Sequence, residues 1–434
     1  MRSLILGKRD FYLTIFLLVV AFFVSYSLEL KFNYLGVFNQ WDTLFDTDPV
    51  SALSDIGNGW GGGRTGFSHP NFSNFFSLPI RSIAKIVTSL VPAMADFAIR
   101  KQLALIILPL ASTLQASFVY LILRRLNLST SQALVLSSVG IVSFSQLIFG
   151  SIPDSFGLSS LAITTGILLM TNAFQSKIPR PFFAWVALGA FGAGITITNI
   201  IPISILQLFS ILTIEGNLKI ALLKTILGAI IAITMTFFLA FIGSQIYGRD
   251  IDIHSFFDNP SRKEALRPDL KNRFLEFPST LGNTLLSSKP RIVTNEKAIQ
   301  YQYKFQYNFT LSETPALFSP DRWFSIVLLG LVIFGAVMLI RGPPVDRSVA
   351  LALLVIIFYN WIFHCFWGTE LFLYSSHWLV PELLLLSGCF RATSIRNNIK
   401  LIVGLIIFAY VAINNAKIIN FICETLAAHF FALE

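Results

Sequence analysis

Charged residues are scarce in this chain. They make up only 13% of its 434 residues, whereas 54% are hydrophobic. Soluble globular domains carry about 25% charged residues. Apolar runs long enough to cross a bilayer, which takes roughly 20 residues, recur along the sequence. This pattern predicts an all-α polytopic membrane protein with about eleven transmembrane helices. We expect residues 1–434 to form a single transmembrane domain.

Several common functional signatures are also missing. The three cysteines, Cys365, Cys389 and Cys423, lie in or beside apolar segments without metal-ligand spacing, which excludes a disulfide framework and a zinc site of the usual kind. The sequence has no Walker-type glycine loop, no His-Glu-x-x-His and no Gly-x-Ser-x-Gly. It has no basic–aromatic module either, so we expect no nucleic-acid partner despite the net charge of +9.

The basic residues that account for this charge fall mostly in short loops beside apolar runs. Arg2, Lys8 and Arg9 precede the first run, residues 11–28, which indicates a cytoplasmic N-terminus and an uncleaved first helix. Residues 29–101 then form a first periplasmic loop, and residues 248–322 form a second, long one. Residues 75–97 mix charges with apolar residues, which predicts an interfacial helix. We expect a multi-pass protein of the bacterial inner membrane.

The strongest candidates for chemistry follow the first helix. Asp46 and Asp48 lie two residues apart, and such a pair can supply a general base, a metal ligand or an acceptor that orients a hydroxyl. Asp154 lies in the next predicted outer turn. The alternatives are a solvated acidic patch for the pair and a helix N-cap for Asp154. No cofactor is indicated with certainty. The pair of aspartates is compatible with a divalent cation as a cofactor.

Basic side chains on the same predicted outer side of the membrane could bind a phosphate group. Arg64 and His69 follow three consecutive glycines, where the backbone can approach a ligand closely. Arg81 and Lys85 lie one turn apart on the predicted interfacial helix. A flexible loop with a chance histidine explains the first two residues equally simply, and contact with lipid headgroups explains the other two.

A third predicted outer loop contains Glu370, Tyr374 and His377. A belt of aromatic residues at the membrane surface accounts for Tyr374 but not for Glu370 and His377, so we include all three as candidate substrate-binding residues. The long loop, residues 248–322, is too short for a nucleotide-sugar-binding α/β domain. An enzyme of this design would therefore use an activated substrate carried by the membrane.

With these features the chain resembles the GT-C superfamily of polytopic glycosyltransferases, which use polyprenyl-phosphate-linked sugars. The resemblance lies in Phe45-Asp46-Thr47-Asp48-Pro49 behind the first helix, in Ser68-His69-Pro70, and in Pro153-Asp154-Ser155. It is greatest for bacterial inner-membrane members that modify lipopolysaccharide O-antigen or similar envelope glycans. We expect no counterpart within these 434 residues of the soluble C-terminal domain of many larger relatives, so the resemblance leaves the acceptor open.

The resemblance implies an inverting transfer from a polyprenyl-phosphate-linked sugar to a periplasmic glycan or glycolipid. Asp46 would be the general base, and Asp48 or Asp154 would orient the acceptor or bind a metal. The leaving phosphate would be stabilised by cationic side chains, for which the candidates are Arg64, His69, Arg81 and Lys85. Membrane lipid is the other expected partner, and no nucleotide is needed.

Two other functions remain open. An O-antigen polymerase or ligase would use arginines of the long outer loop, where Arg262, Arg267 and Arg273 lie. A transporter or flippase of lipid-linked glycans would be expected to carry ionisable residues at membrane mid-depth. The predicted spans contain almost none, with His364 as the main exception.

Overall fold

The computed structural model describes residues 7–40, 42–58, 69–93, 95–247, 270–294, 299, 307–311, 323–366, 370–391 and 396–431. Within these ranges the chain is an all-α polytopic membrane protein, as the composition predicts. Eight of its helices are long and apolar enough to cross a membrane. The finer prediction of about eleven spans is not decided by these eight, because shorter helices also lie within the bundle.

The helices and strands follow one another in this order: α1 (Lys8–Tyr34), α2 (Pro49–Asn58), α3 (Phe72–Leu90), α4 (Asp96–Arg125), α5 (Thr130–Val142), α6 (Phe144–Phe149), α7 (Ser155–Ser176), α8 (Phe182–Ile195), α9 (Ile200–Glu215), α10 (Leu218–Tyr247), α11 (Leu270–Leu285), β1 (Arg291–Thr294), β2 (Tyr307–Thr310), α12 (Trp323–Ile340), α13 (Pro344–Phe366), α14 (Ser376–Arg391) and α15 (Asn397–Phe431). A short 3-10 helix, Leu371–Tyr374, precedes α14.

The centre of the bundle is α14, which is buried along almost its whole length. It packs closely against α12, where a Cβ added at Gly388 would collide with the backbone of Gly335. Close approach of helix backbones through small residues is typical of helix pairs in membranes. On the other side of the bundle, α1 packs along α4, and α4 packs along α7.

The two strands connect distant parts of the chain. β1 pairs with β2 in antiparallel register, with Arg291 opposite Thr310. Phe309 of β2 also bonds to the segment after α1: its N–H donates to the Thr43 carbonyl at 3.0 Å, and its carbonyl accepts from the Phe45 N–H at 2.9 Å. The loop after α1 and the end of the long loop therefore form one unit.

Several predicted boundaries are wrong in detail. α1 continues to Tyr34, beyond the predicted end at residue 28, so Glu29 is part of the helix. The apolar run 131–149 does not form one helix but is divided into α5 and α6 at Ser143, whose hydroxyl caps α6 by accepting from the Gln146 N–H. The apolar run 182–212 forms two helices, α8 and α9, which meet at a short 3-10 turn, Ile197–Asn199.

Candidate functional site

Asp46 lies in a tight turn, residues 44–47, which we call the acid turn. The Thr47 N–H donates to the Leu44 carbonyl at 3.0 Å, and the two central residues, Phe45 and Asp46, have φ angles of 55° and 57°. Positive φ at both central positions is the type I′ turn that suits a hairpin. Each non-glycine residue in this conformation costs roughly 1–2 kcal/mol. Neighbouring interactions must offset that cost.

A buried aromatic cluster holds the acid turn in place. The Phe45 ring lies edge-on to Phe144 and Phe372, with centroid distances of 5.7 and 5.1 Å, and Phe144 and Phe372 lie 5.3 Å apart. All three side chains are fully buried. Burial of a phenylalanine contributes about 1.5–3 kcal/mol, and each aromatic pair adds about 0.5–1.5 kcal/mol. These contributions exceed the backbone cost, so the packing of Phe45 fixes the turn.

The acid turn leaves half of the Asp46 carboxylate open. Asn308 of β2 donates from Nδ2 to Asp46 Oδ1 at 2.7 Å. No other residue in the described ranges bonds to this carboxylate, and the side chain is partly exposed. One oxygen is thus fixed in direction while Oδ2 can accept a proton or a hydroxyl. This is the geometry that a general base requires.

Asp154 has a different role. Its carboxylate is fully buried, and both oxygens are engaged: Oδ1 accepts from the Ser155 N–H at 2.5 Å, and Oδ2 accepts from the Asp48 N–H at 3.1 Å. It therefore caps the N-terminus of α7, which is the alternative considered above, and it also fixes the residue that precedes α2. Asp154 positions Asp48, whose own side chain is partly exposed beside the acid turn.

β2 brings Glu370 to the same region. The Thr310 hydroxyl donates to Glu370 Oε2, and the Phe372 N–H donates to Oε1 at 3.4 Å, so this buried carboxylate caps the 3-10 helix. Residues 308 and 310 lie on one face of β2, because successive strand side chains alternate. One strand face thus contacts both Asp46 and Glu370. We call the part of the molecule that holds Asp46, Asp48, Asp154 and Glu370 the acidic end.

Tyr374 and His377 lie inside the protein rather than on a surface belt. The Tyr374 ring stacks on His364, with centroids 3.4 Å apart and an interplanar angle of 15°. The His377 ring lies 6.3 Å from Tyr374 and 6.0 Å from Phe156, and its Nε2 has no hydrogen-bond partner among the described residues. These rings and one unpartnered imidazole nitrogen therefore lie together in the protein interior, among the residues that follow Glu370.

The predicted phosphate-binding residues are brought together only in part. Arg64 lies outside the described residues. His69 Nδ1 is 2.7 Å from the Ile195 carbonyl, at the break between α8 and α9. Asn199 in that break donates to Ser159 of α7 at 2.8 Å. These contacts connect the segment of His69 to α7 at Ser159, five residues after Asp154.

Arg81 and Lys85 lie on α3, which is not among the helices suited to crossing a membrane. Arg81 is half-buried and Lys85 is exposed, and the apolar side chains Ile83 and Ile86 are exposed on the same helix. This mixture is typical of a helix at a membrane surface. The structure does not bring either cation into contact with the acid turn.

The described ranges contain no group of three or more His, Cys, Asp or Glu side chains that could hold a metal ion. The acid turn and the residue after it present two aspartates, Asp46 and Asp48, and Asp154 accepts hydrogen bonds from backbone N–H groups.

Sequence reasoning missed four residues of interest. Asn308 and Thr310 lie far from the acid turn in sequence, and no local pattern fixes the register of their strand. Glu29 was assigned to a loop, yet it is fully buried in α1, and neither carboxylate oxygen has a partner among the described residues. Its spacing of four from Ser25, which bonds to Ser112 of α4 at 2.8 Å, was the available signal. Glu382 is likewise buried in α14, with Oε1 unpartnered there.

Comparison with known proteins adds no assignment to this geometry. Neither the protein-family models nor the curated proteins include a match to this chain.

Proposed function

We propose that this protein is an inverting GT-C-type glycosyltransferase that moves a sugar from a polyprenyl-phosphate donor to a glycan or glycolipid acceptor such as lipopolysaccharide O-antigen. The single observation that carries the proposal is the Asp46 carboxylate, which is held by a costly backbone turn with one oxygen anchored and one open. Strained backbone of this kind clusters at functional sites.

In the proposed reaction Asp46 Oδ2 takes the proton of an acceptor hydroxyl. The hydroxyl oxygen attacks the anomeric carbon of the donor sugar, and the bond between that carbon and the phosphate oxygen breaks with inversion. Polyprenyl phosphate leaves with the bonding electron pair. Asp48 orients the acceptor, and Asp154 holds Asp48 through its N–H. Nearby cations stabilise the charge that develops on the leaving phosphate; the candidates are Arg64, His69, Arg81 and Lys85.

The remaining predicted residues are assigned to substrate binding. Tyr374 and His377 form part of an aromatic wall for a sugar, and Glu370 fixes the loop that carries them. The proposed topology places the acidic end in the periplasm and the N-terminus in the cytoplasm of a bacterial inner membrane. If α5, α8 and α14 also span, eleven helices cross the membrane.

The test is sugar transfer by the purified full-length chain in detergent, with polyprenyl-phosphate-glucose as the donor and O-antigen glycans as acceptors. Asp46→Asn should lower the rate at least about 100-fold, the lower range for loss of a general base. Asp42→Asn is the matched control, because Asp42 lies in the same loop and also has positive φ. Full activity of Asp46→Asn would refute the assignment of the base.

A second function is favoured by Glu29 and Glu382. Buried acids with unpartnered oxygens inside membrane helices are typical of proton- or cation-coupled transport. Under this alternative the protein would move a lipid-linked glycan across the membrane. Transfer of sugar in detergent solution excludes it as the sole activity, because transport needs two sealed compartments. Loss of glycan movement in proteoliposomes with Glu29→Gln, without any sugar transfer by the parent chain, would support it instead. The polymerase or ligase alternative rests on Arg262, Arg267 and Arg273, which lie outside the described residues.

A further inference from the structure

A polar cavity of about 460 Å³ opens at the end of the bundle opposite to the acid turn. It lies where α4 and α14 end and where α5 and α15 begin. We call it the basic pocket, and its cationic side chains are Arg124, Arg391 and Lys400. Its volume lies in the range of small-ligand sites, which is roughly 300–1,000 Å³.

Two of the three cations are already neutralised. Arg124 Nε lies 2.8 Å from Asp10 Oδ1, and this carboxylate also accepts from the Tyr120 hydroxyl at 2.6 Å. Arg391 forms an ion pair with Asp346. These pairs fix the two guanidinium groups at the pocket wall, so that the pocket is built before any ligand arrives.

Lys400 is the cation that remains. It is only 7% exposed and lines the pocket, and no carboxylate in the described part of the chain pairs with it. Lysine is almost never buried to this extent without a partner, because removing an ammonium group from water is costly. The pocket therefore contains one positive charge, that of Lys400, which no carboxylate of the described residues balances.

The surrounding backbone also favours an anion. The N-terminus of α5 opens into the pocket at Ser129 and Gln132, and the N-terminus of α15 does so at Asn397. Helix N-termini carry partial positive charge, which favours an anion. In α5 the N–H groups of Ser129 and Gln132 are paired with each other's side chains, so this helix contributes its dipole rather than these two donors. Asn127 and Asn397 add neutral side-chain donors at the exposed rim. A buried ammonium and two helix N-termini would repel one another in the absence of a negative group.

We propose that the basic pocket binds a phosphate group, with Lys400 as its charge partner. Phosphate suits the pocket because several oxygens can accept hydrogen bonds from Lys400 and from the asparagines at once. The group could belong to an anionic lipid or to a free phosphate compound, since the pocket is open and lies at one end of a membrane bundle. Both sources share the same chemistry.

The test measures thermal unfolding of the purified full-length chain in neutral detergent with two probes, inorganic phosphate and dioctanoyl phosphatidylglycerol. Dioctanoylglycerol serves as the lipid without phosphate. Stabilisation by phosphatidylglycerol alone assigns the site to a lipid headgroup, and stabilisation by both probes assigns it to phosphate in general. Stabilisation by neither, or equally by dioctanoylglycerol, would overturn the proposal.

Variants test whether the stabilisation by the probe depends on Lys400. Lys400→Gln should weaken binding of the active probe at least tenfold, whereas Lys400→Arg should retain it. Lys417→Gln is the matched control, because Lys417 lies on the same helix and is exposed. Asn397→Asp adds a negative charge at the exposed rim and should also weaken binding, which keeps the test valid if Lys400→Gln does not fold. Unchanged binding in Asn397→Asp and Lys400→Gln would contradict the assignment. Sugar transfer is not the readout, so this result is independent of the proposed function.

Discussion

At the scale of single residues, the aspartates of the acidic end differ in whether their carboxylate oxygens already accept hydrogen bonds. Asp46 has an open oxygen, whereas both oxygens of Asp154 accept from backbone N–H groups. Asp154→Asn keeps a good N-cap and should retain part of the activity. Asp154→Ala removes the cap and the support of Asp48, and should destabilise the protein by about 0.5–2 kcal/mol. Thermal unfolding and transfer rates of both variants, compared with Asp46→Asn, separate positioning from proton transfer. Equal inactivation of Asp154→Asn and Asp46→Asn, with unchanged stability, would contradict this division.

Glu29 supports a second prediction at this scale. A buried carboxyl without a hydrogen-bond partner costs about 1–3 kcal/mol. Glu29→Leu should therefore raise the unfolding temperature, while Ser25→Ala, one turn away on the same helix face, should lower it by breaking the bond to Ser112. If Glu29→Leu is both more stable and fully functional, the acid has no role in the activity. A lower unfolding temperature would mean that Glu29 has a partner outside the described residues.

At the scale of elements, the acid turn stores backbone strain that substitution can relieve. Glycine adopts positive φ without cost, but Asp46→Gly also removes the hydrogen bond from Asn308. Introduced into an Asn308→Ala background, where that bond is already absent, Asp46→Gly should stabilise the protein by about 0.4–1 kcal/mol while it abolishes activity. Phe45→Ala should destabilise by about 3–5 kcal/mol, because it empties the centre of the aromatic cluster. Opposite shifts of the unfolding temperature at adjacent positions are the expected signature. Destabilisation by Asp46→Gly in that background would contradict the assignment of backbone strain to the turn.

The contribution of β2 to the site can be tested through Asn308, which donates to the Asp46 carboxylate. Asn308→Ala removes a hydrogen bond to a charged acceptor, which contributes about 1.5–3 kcal/mol. We expect a rate loss of roughly 10- to 100-fold from a misaligned base, since each 1.4 kcal/mol is about tenfold. Asn308→Asp should be worse, because it places a second carboxylate against Asp46. Tyr307→Ala, an exposed position on the same strand, is the control. Equal activity of Asn308→Ala and Tyr307→Ala would remove β2 from the site.

The elements also show how far the sequence alone could reach. Apolar runs predict the long helices well, because burial in lipid depends on composition. Helix ends are harder: the buried face of α1 continues through Glu29 and Phe32, and a glutamate on a buried face reads in sequence as the start of a polar loop. The acidic residues could be selected from their position after the first helix. Their partners Asn308 and Thr310 could not, because strand register is set by the fold.

At the scale of the whole molecule, the proposed topology places the turn between α9 and α10 in the cytoplasm and the segment after α11 in the periplasm. Asn217 and Lys289 are exposed at these two positions. Cysteines introduced there should differ in labelling by a membrane-impermeant maleimide in intact cells: Lys289→Cys should react and Asn217→Cys should not. Of the native cysteines, Cys365 and Cys423 are buried, and Cys389 is half-buried near the end of α14 that the proposed topology places in the cytoplasm, so background labelling should be low. Labelling of both sites, or of Asn217→Cys alone, would overturn the topology.

The bond between Asn308 and Asp46 joins residues 262 positions apart. During synthesis, the aspartate leaves the ribosome early, whereas its amide partner is made only after more than two thirds of the chain. The acid turn must therefore exist for a time without the strand that aligns it, while α4 to α10 are inserted. A nascent chain stalled before residue 307 should have an inserted bundle and an unaligned carboxylate. Completion of the site is then a late event in the biogenesis of the protein, and it depends on delivery of the long loop to the same side of the membrane.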